Sequence, residues 1–294
     1  TMEITLPLVV NLVLNGLVLG TLYFLLASGL SLIFGVMSVL NLAHGAFFMW
    51  GAYTGLAVLL ATNNFWLALL AGAAAGALLG AVAERATVRF LYGKHLQQIL
   101  LTLGLLLVMG EAVQVIWGPQ LHGFPVPAFA RGTTFVLDYP FARYRAFVLA
   151  AGAVVLVLIF LLLHRTKLGL IVRAGVENPD MVQALGVNVS RVFTQVFALG
   201  TALAALGGVL AGPFFRTVWP QMANDLQLYA FIVVVIGGLG SVAGAAVGSL
   251  LVGLAESLMG FFYPEVAMAV NFGLMALVLL IRPWGLLGSE ADHQ

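Results

Sequence analysis

Few side chains in this sequence are equipped for chemistry, and those that are sit inside long apolar runs. Asn41 and His44 stand one helical turn apart within GVMSVLNLAHG, Glu256 lies in GLAESL, and Asn271 lies in the last apolar run. Glu111 and Gln114 form another one-turn pair, and Asn15 and Gln195 complete the set. An ionisable group at membrane depth is costly and is a functional candidate by default. Asn41, His44, Glu256 and Asn271 are therefore the candidate residues of a translocation pathway. For His44 the alternative is to tie a broken helix together, and for Glu256 it is a hydrogen bond to a neighbouring helix. Glu111 and Gln114 lie near the end of their run, where they can also reach water. Coupling to protons or sodium calls for a richer set of buried acids. The sequence has no phosphate-binding glycine loop, no H-E-x-x-H and no G-x-S-x-G, and GLGSVAG lacks the spacing of the last. No cysteine is present, so there is neither a disulfide nor a thiolate metal site. The expectation is a chain with no catalytic residue, no metal and no cofactor of its own, whose ATP-driven work, if any, is done by another subunit.

The second chemically distinct feature is one long polar stretch, residues 164–191, reading HRTKLGLIVRAGVENPDMVQALGVNVSR. Asn178 suits a helix N-cap, Pro179 the first helical position, Asp180 the positive end of the helix dipole, and Gly186 the terminating C′ position. About two turns are bracketed, with Met181, Val182 and Leu185 on one side. A capped helix with an apolar face, held in water by a membrane protein, is suited to dock a soluble partner.

The elements that position these groups follow from hydropathy. Hydrophobic residues make up 62% of the 294 and charged residues 8%, far from the roughly 25% charged of soluble domains. A bilayer core about 30 Å thick needs about 20 apolar residues per helix, and such runs lie near 8–33, 42–61, 65–84, 97–117, 146–163, 192–212, 226–240, 244–262 and 266–282. They are continuous rather than alternating, which excludes a β-barrel. The predicted fold is an all-α polytopic membrane protein of about eight or nine transmembrane or re-entrant helices, forming one domain over 1–294. Its net charge of +1 points to no nucleic-acid partner, and TMEITLPLVV lacks the basic start of a cleavable signal peptide.

Loop charges set the expected orientation. With the N-terminus outside, eight cationic residues (Arg85, Arg89, Lys94, Arg165, Lys167, Arg173, Arg191, Arg282) face the cytosol against four (Arg131, Arg143, Arg145, Arg216) outside. The polar stretch and the C-terminus are then cytosolic. The outside loop 118–145 is rich in aromatic residues, among them Trp117 at its edge, Phe124, Phe129, Phe135, Tyr139, Phe141 and Tyr144. It reads either as an interfacial lid or as a platform for an external partner. The run 226–262 is too long for one helix and breaks at Gly237, Gly238 and Gly240, while 35–53 is interrupted by Asn41, His44 and Gly45. Glycine-interrupted segments in corresponding places point to a transport pathway. Aligning 35–45 with 238–248 matches five of eleven residues, which makes a parallel internal repeat a candidate. Stripes of small residues at Gly72, Gly76 and Gly80, at Gly200, Ala204, Gly208 and Gly212, and at Gly240, Gly244 and Gly248 suit close helix packing.

NGLVLGTLYFLLASGLSLIFGVMSVLNLAHGAFFMWGAY (15–53), GLIVRAGVENPDMVQALGVNVSRV (169–192) and VIGGLGSVAGAAVGSLLVGLAESL (235–258), followed by RPWGLLG near the end, closely resemble the membrane-spanning permease subunit of branched-chain amino acid ABC importers. The likeness covers essentially the whole chain and extends more loosely to sugar and urea permeases. It implies that the capped helix within the segment 164–191 is a coupling helix, with Arg173, Glu177, Asn178, Asp180, Met181, Leu185 and Gly186 contacting the ATP-hydrolysing subunit. It further implies a second homologous permease chain, two ATP-binding cassette subunits that use ATP and Mg, a periplasmic solute-binding protein, and a place in the bacterial inner membrane. The expected activity is import of branched-chain or related hydrophobic amino acids by alternating access. Urea, amides or aromatic acids are the substrate alternatives, and an ion-coupled secondary transporter or a passive channel the mechanistic ones.

Overall fold

The computed structural model describes residues 5–136, 139–177, 183 and 186–288. Ten α-helices carry the described chain: α1 (Leu6–Met37), α2 (His44–Thr62), α3 (Phe65–Ala86), α4 (His95–Trp117), α5 (Arg143–Arg165), α6 (Lys167–Glu177), α7 (Val189–Phe215), α8 (Met222–Gly237), α9 (Val242–Phe262) and α10 (Ala267–Ile281). Eight helical segments are long and apolar enough to cross a membrane, and the 16-residue α8 is shorter, in agreement with the eight or nine expected. Such a chain must be helical because lipid offers backbone N–H and C=O groups no partners of their own.

The spans alternate in direction, which gives the bundle two ends. One end, called here the first, carries residues 118–142 and 216–221. The second end carries the α1–α2 and α8–α9 connections, residues 87–94 and the polar segment around α6. α1 is the central element, with 32 residues or about 48 Å at 1.5 Å per residue, packed by α5, α7, α8 and α9.

Glycine sets how closely these helices approach. A side-chain carbon at Gly35 would lie 2.9 Å from the Gly240 carbonyl oxygen, one at Gly76 2.7 Å from that of Thr201, and one at Gly248 2.7 Å from that of Val233. Each predicted small-residue stripe thus faces another helix: Gly72, Gly76 and Gly80 meet α7, Gly200 meets Gly29, and Gly244 and Gly248 close the α8–α9 hairpin. In lipid, where apolar burial drives little association, such backbone proximity supplies the dispersion contact.

Both interruptions read from the sequence are present. α1 ends at Ser38 in the left-handed region (φ +50°), and α2 restarts at His44. α8 ends at Gly237, Gly238 and Gly240 take φ of +106° and +82°, and Ser241 caps α9 by accepting from the Gly244 N–H at 2.9 Å. The two turns touch through Gly35 and Gly240. α1 lies along α9, and α2 packs on α7 and α3 and also touches α8.

The first-end loop differs from its expected outline. α5 begins at Arg143, so Arg143 and Arg145 occupy its first turn rather than the loop. The loop also holds strands that apolar-run counting does not register: β1 (His122–Gly123) pairs antiparallel with β4 (Thr217–Val218), and β2 (Thr133–Val136) with β3 (Tyr139–Ala142). Their β-branched and aromatic residues favour extended backbone, but the runs are too short to declare it. Phe124 is driven into the bundle against Gly212 and is 2% exposed. Phe129 stacks on Trp66 at 5.4 Å, and Phe65, Tyr144 and Phe147 close an aromatic cluster that pins the loop to α3 and α5.

Candidate functional sites in the membrane interior and at the second end

At the second end the chain turns sharply out of α5. The Thr166 hydroxyl donates to the Leu162 carbonyl at 2.6 Å and accepts from the Gly169 N–H at 3.1 Å. The amphipathic α6 follows and rests on α5, α1 and α7 through Leu168, Ile171 and the buried Val172. This helix lies upstream of the one expected at 178–185 and has its own i, i+3, i+4 apolar face. Of the residues assigned to coupling, Arg173 lies on α6 and its Nε donates to the Gly169 carbonyl at 3.4 Å, and Glu177 is the last residue of α6. Gly186 takes φ +84°, the left-handed backbone suited to a terminating glycine. Asn178, Asp180, Met181 and Leu185 lie outside the described residues. Downstream, Asn188 caps α7 by accepting from the Arg191 N–H at 3.0 Å.

One turn into α7, the segment's exit is clamped. Glu84 of α3 is fully buried and accepts from four donors: Arg89 Nε at 3.2 Å and Nη2 at 3.3 Å, Thr194 Oγ1 at 2.6 Å, and the Tyr92 hydroxyl. Arg89 Nη2 also donates to Thr194 Oγ1 at 2.8 Å. Among the described residues this is the one salt bridge. Burial, followed by the hydrogen bond to Glu84, pushes the Tyr92 hydroxyl up, and the carboxylate raises the Arg89 guanidinium further. Neither group titrates near neutrality. In the sequence Arg89 counts only as a topological charge, and Glu84, Tyr92 and Thr194 do not stand out. A lone acid near the second end of an apolar span, five residues before an arginine, was the available signal.

The interior candidates form two clusters. In the first, Asn41 and His44 are both fully buried at the α1–α2 break. Asn41 Oδ1 accepts from the Ala43 N–H at 3.0 Å, and Thr102 Oγ1 of α4 accepts from the Leu42 N–H at 3.2 Å. His44 Nε2 lies 3.0 Å from the Leu26 carbonyl, which can only accept, so Nε2 carries the proton and Nδ1 presents a lone pair. Gln227 of α8, which nothing in the sequence singles out, reaches across to accept from the Gly45 N–H and so caps α2 from another helix. In the second cluster Asn271 Nδ2 donates to Glu256 Oε2 at 2.6 Å, which ties α10 to α9. Glu256 neighbours Tyr229, whose ring stacks on Tyr23 at 4.8 Å. The structure therefore joins Asn41 to His44 and Glu256 to Asn271, and keeps the two pairs apart across α1 and α8.

Beside α2 several buried polar atoms have no protein partner: Asn41 Nδ2, His44 Nδ1, Gln227 Nε2 and the Tyr53 hydroxyl, with His122 Nε2 against the Tyr53 ring. Buried polar groups in proteins are nearly always satisfied. A seam of unpaired ones next to a broken helix offers groups that water or a polar solute would satisfy. Glu111 and Gln114 bond to each other at 3.2 Å and, with Gln221 and Asn224, border a second cavity of about 150 Å³ near the start of α8.

Comparison with known proteins bears on both sites. Residues 12–279 match the family described as the branched-chain amino acid transport system permease component. The chain is 31% identical to the high-affinity branched-chain amino acid transport system permease protein BraD of Pseudomonas aeruginosa, over 93% of this chain and 94% of that one. It is 29% identical to the corresponding protein LivH of Escherichia coli over the same shares. Similarity at 28% identity extends to the fructose import permease protein FruF of Bifidobacterium longum, over 79% of this chain and 65% of that protein. No solved structure matches the chain.

Proposed function

The chain belongs to the branched-chain amino acid transport system permease family, and from that premise we propose that it is the membrane-spanning subunit of an ATP-driven importer of branched-chain or related hydrophobic amino acids. The observation that carries this reading is the seam of unpaired buried polar atoms along α2, where the α1–α2 break places irregular backbone inside the bundle. It supplies partners for a solute's polar groups along a route otherwise walled by apolar helices. Asn41, His44, Glu256 and Asn271 line the route, and the Glu256–Asn271 pair also ties α9 to α10.

The N-terminus faces the outside and the C-terminus the cytosol of the plasma membrane, so the second end meets the ATPases. Segment 164–191 docks there on an ATP-binding cassette subunit, with Arg173, Glu177, Asn178, Asp180, Met181, Leu185 and Gly186 in the contact. A second, homologous permease chain completes the membrane unit, with two ATPases below and a solute-binding protein above. ATP and Mg bind the ATPases; this chain's part is mechanical. ATP must interact differently with the two access states, since a ligand shifts an equilibrium only by its differential affinity. Its closure of the ATPase pair displaces the docked segment, and α7 carries the displacement into the bundle.

The test is Met181→Glu in the assembled importer, which puts a charge on the apolar docking side. Expected is ATP hydrolysis that no longer responds to solute, together with loss of uptake, while the complex is recovered in normal yield. Normal uptake by that variant would sink the coupling assignment.

A further inference from the structure

One cavity of the described structure plays no part in the foregoing. It opens at the first end, holds about 450 Å³, and lies between the loop 124–132, the first turn of α5 and the last turn of α7. Arg131, Arg145 and Arg216 line it, and among the described residues no acidic side chain does. Among the described residues these cations have only neutral partners. Arg145 Nη1 donates to the Asn15 side-chain carbonyl and the guanidinium stands 5.5 Å over the Phe214 ring, while Arg131 Nε donates to the Val126 carbonyl at 3.1 Å. Among the described residues the Arg216 side chain has no hydrogen bond. Arg216 also holds a left-handed backbone (φ +61°), which glycine or asparagine adopts more readily. It is fixed there by the Phe124 N–H on its carbonyl at 2.9 Å and by the β1–β4 pairing that follows.

Three like charges facing one concave space focus a positive potential into it, and a carboxylate is the group that guanidinium forks match. The N-terminal turn of α5 adds the positive end of a helix dipole, and the last turn of α7, with Pro213 and Phe214 in the lining, brings the negative end of another. Phe124, Val126, Pro213 and Phe214 form an apolar wall. We propose that this cavity is an uptake site for a free zwitterionic amino acid with an aliphatic side chain. The carboxylate is held by Arg145 and Arg216, the ammonium faces the end of α7, and the side chain lies on Phe124 and Phe214. That it receives solute on the way in rests on the importer reading above; that it binds such a solute does not.

The experiment uses the full chain alone in lipid nanodiscs and measures equilibrium binding of radiolabelled leucine. Leucinamide, which lacks the carboxylate, and isovalerate, which lacks the ammonium, serve as competitors. Saturable leucine binding that neither competitor displaces as well as leucine itself, and that Arg216→Gln weakens by about tenfold or more, is the expected result. Arg143→Gln is the control, since Arg143 is exposed and outside the cavity lining, and it should leave binding unchanged. Absence of saturable binding at millimolar leucine, equal displacement by leucinamide, or undiminished binding in Arg216→Gln overturns the proposal. Failure of the importer reading would appear instead as uptake that persists without ATPase partners, and it would leave this partner-free measurement intact.

Discussion

Replacing Glu84 by glutamine should cost this fold more than any other single change of charge to neutral amide. The glutamate accepts from four donor atoms on three residues while fully buried. Glutamine keeps one carbonyl oxygen, which can accept two of them, and turns an NH₂ toward the rest. Hydrogen bonds to a charged group contribute about 1.5–3 kcal/mol each, but members of one network do not add. The better bound is the roughly 3–5 kcal/mol lost when one partner of a buried ion pair is removed. Arg89 retains about a third of its side-chain exposure, so its stranded charge reaches water and the loss belongs at the lower limit. About 3 kcal/mol is about two orders of magnitude in the folding equilibrium. Reversible unfolding in mixed micelles, followed by tryptophan fluorescence, measures it. Glu111→Gln is the internal control, because Glu111 is exposed and bonded only to Gln114, and should change stability by less than about 0.5 kcal/mol. The double variant Glu84→Gln with Arg89→Gln should lose less than the sum of the single losses, since it removes the unpaired cation. A Glu84→Gln variant as stable as the parent, or a double variant that is simply additive, would refute the account of this network.

Two further outcomes follow from packing and from charge. Gly51→Val should destroy the α2–α7 contact, because even one added carbon would lie 2.6 Å from the Ala205 carbonyl carbon; overpacking of this kind costs typically about 1–3 kcal/mol, and rigid backbone on both sides favours the high end. Gly110→Ala, with open space around it, should be neutral or slightly stabilising, and size-exclusion profiles after heating separate the two. Glu256→Gln keeps an oxygen for Asn271 Nδ2, so complex assembly should be unchanged while the initial rate of uptake falls severalfold. Unchanged uptake kinetics would confine Glu256 to joining α9 and α10.

What could be read from the sequence was whatever a bilayer dictates one segment at a time. Span positions follow from the about 30 Å core, and the two breaks follow from glycine and polar residues where a helix should continue. Pairings across the chain could not be read. Glu84 meets Thr194 at a separation of 110 residues and Gly45 meets Gln227 at 182, and neither partner is unusual in its own window. The same holds for the arginine cavity. Arg131, Arg145 and Arg216 were legible only as charges outside the membrane, and it takes the folding of the loop onto Gly212 to turn them toward one space.

These pieces share one helix. α7 leaves the polar segment at Asn188, is clamped to α3 through Thr194, crosses α1 where Gly200 meets Gly29, touches α2 through Gly208, and ends at the cavity with Pro213 and Phe214. Its 27 residues span about 40 Å. Close-packed glycine contacts leave little room for such a rod to bend within the bundle, so a displacement imposed at its second-end turn has to emerge as tilt or translation at the other end. The residues that meet α2 lie between, beside the unpaired polar seam. A motion of α7 therefore cannot stay at one end: it also moves the helices around the unpaired polar seam and the floor of the arginine cavity. For a subunit with no energy source of its own, that mechanical continuity is the property alternating access requires.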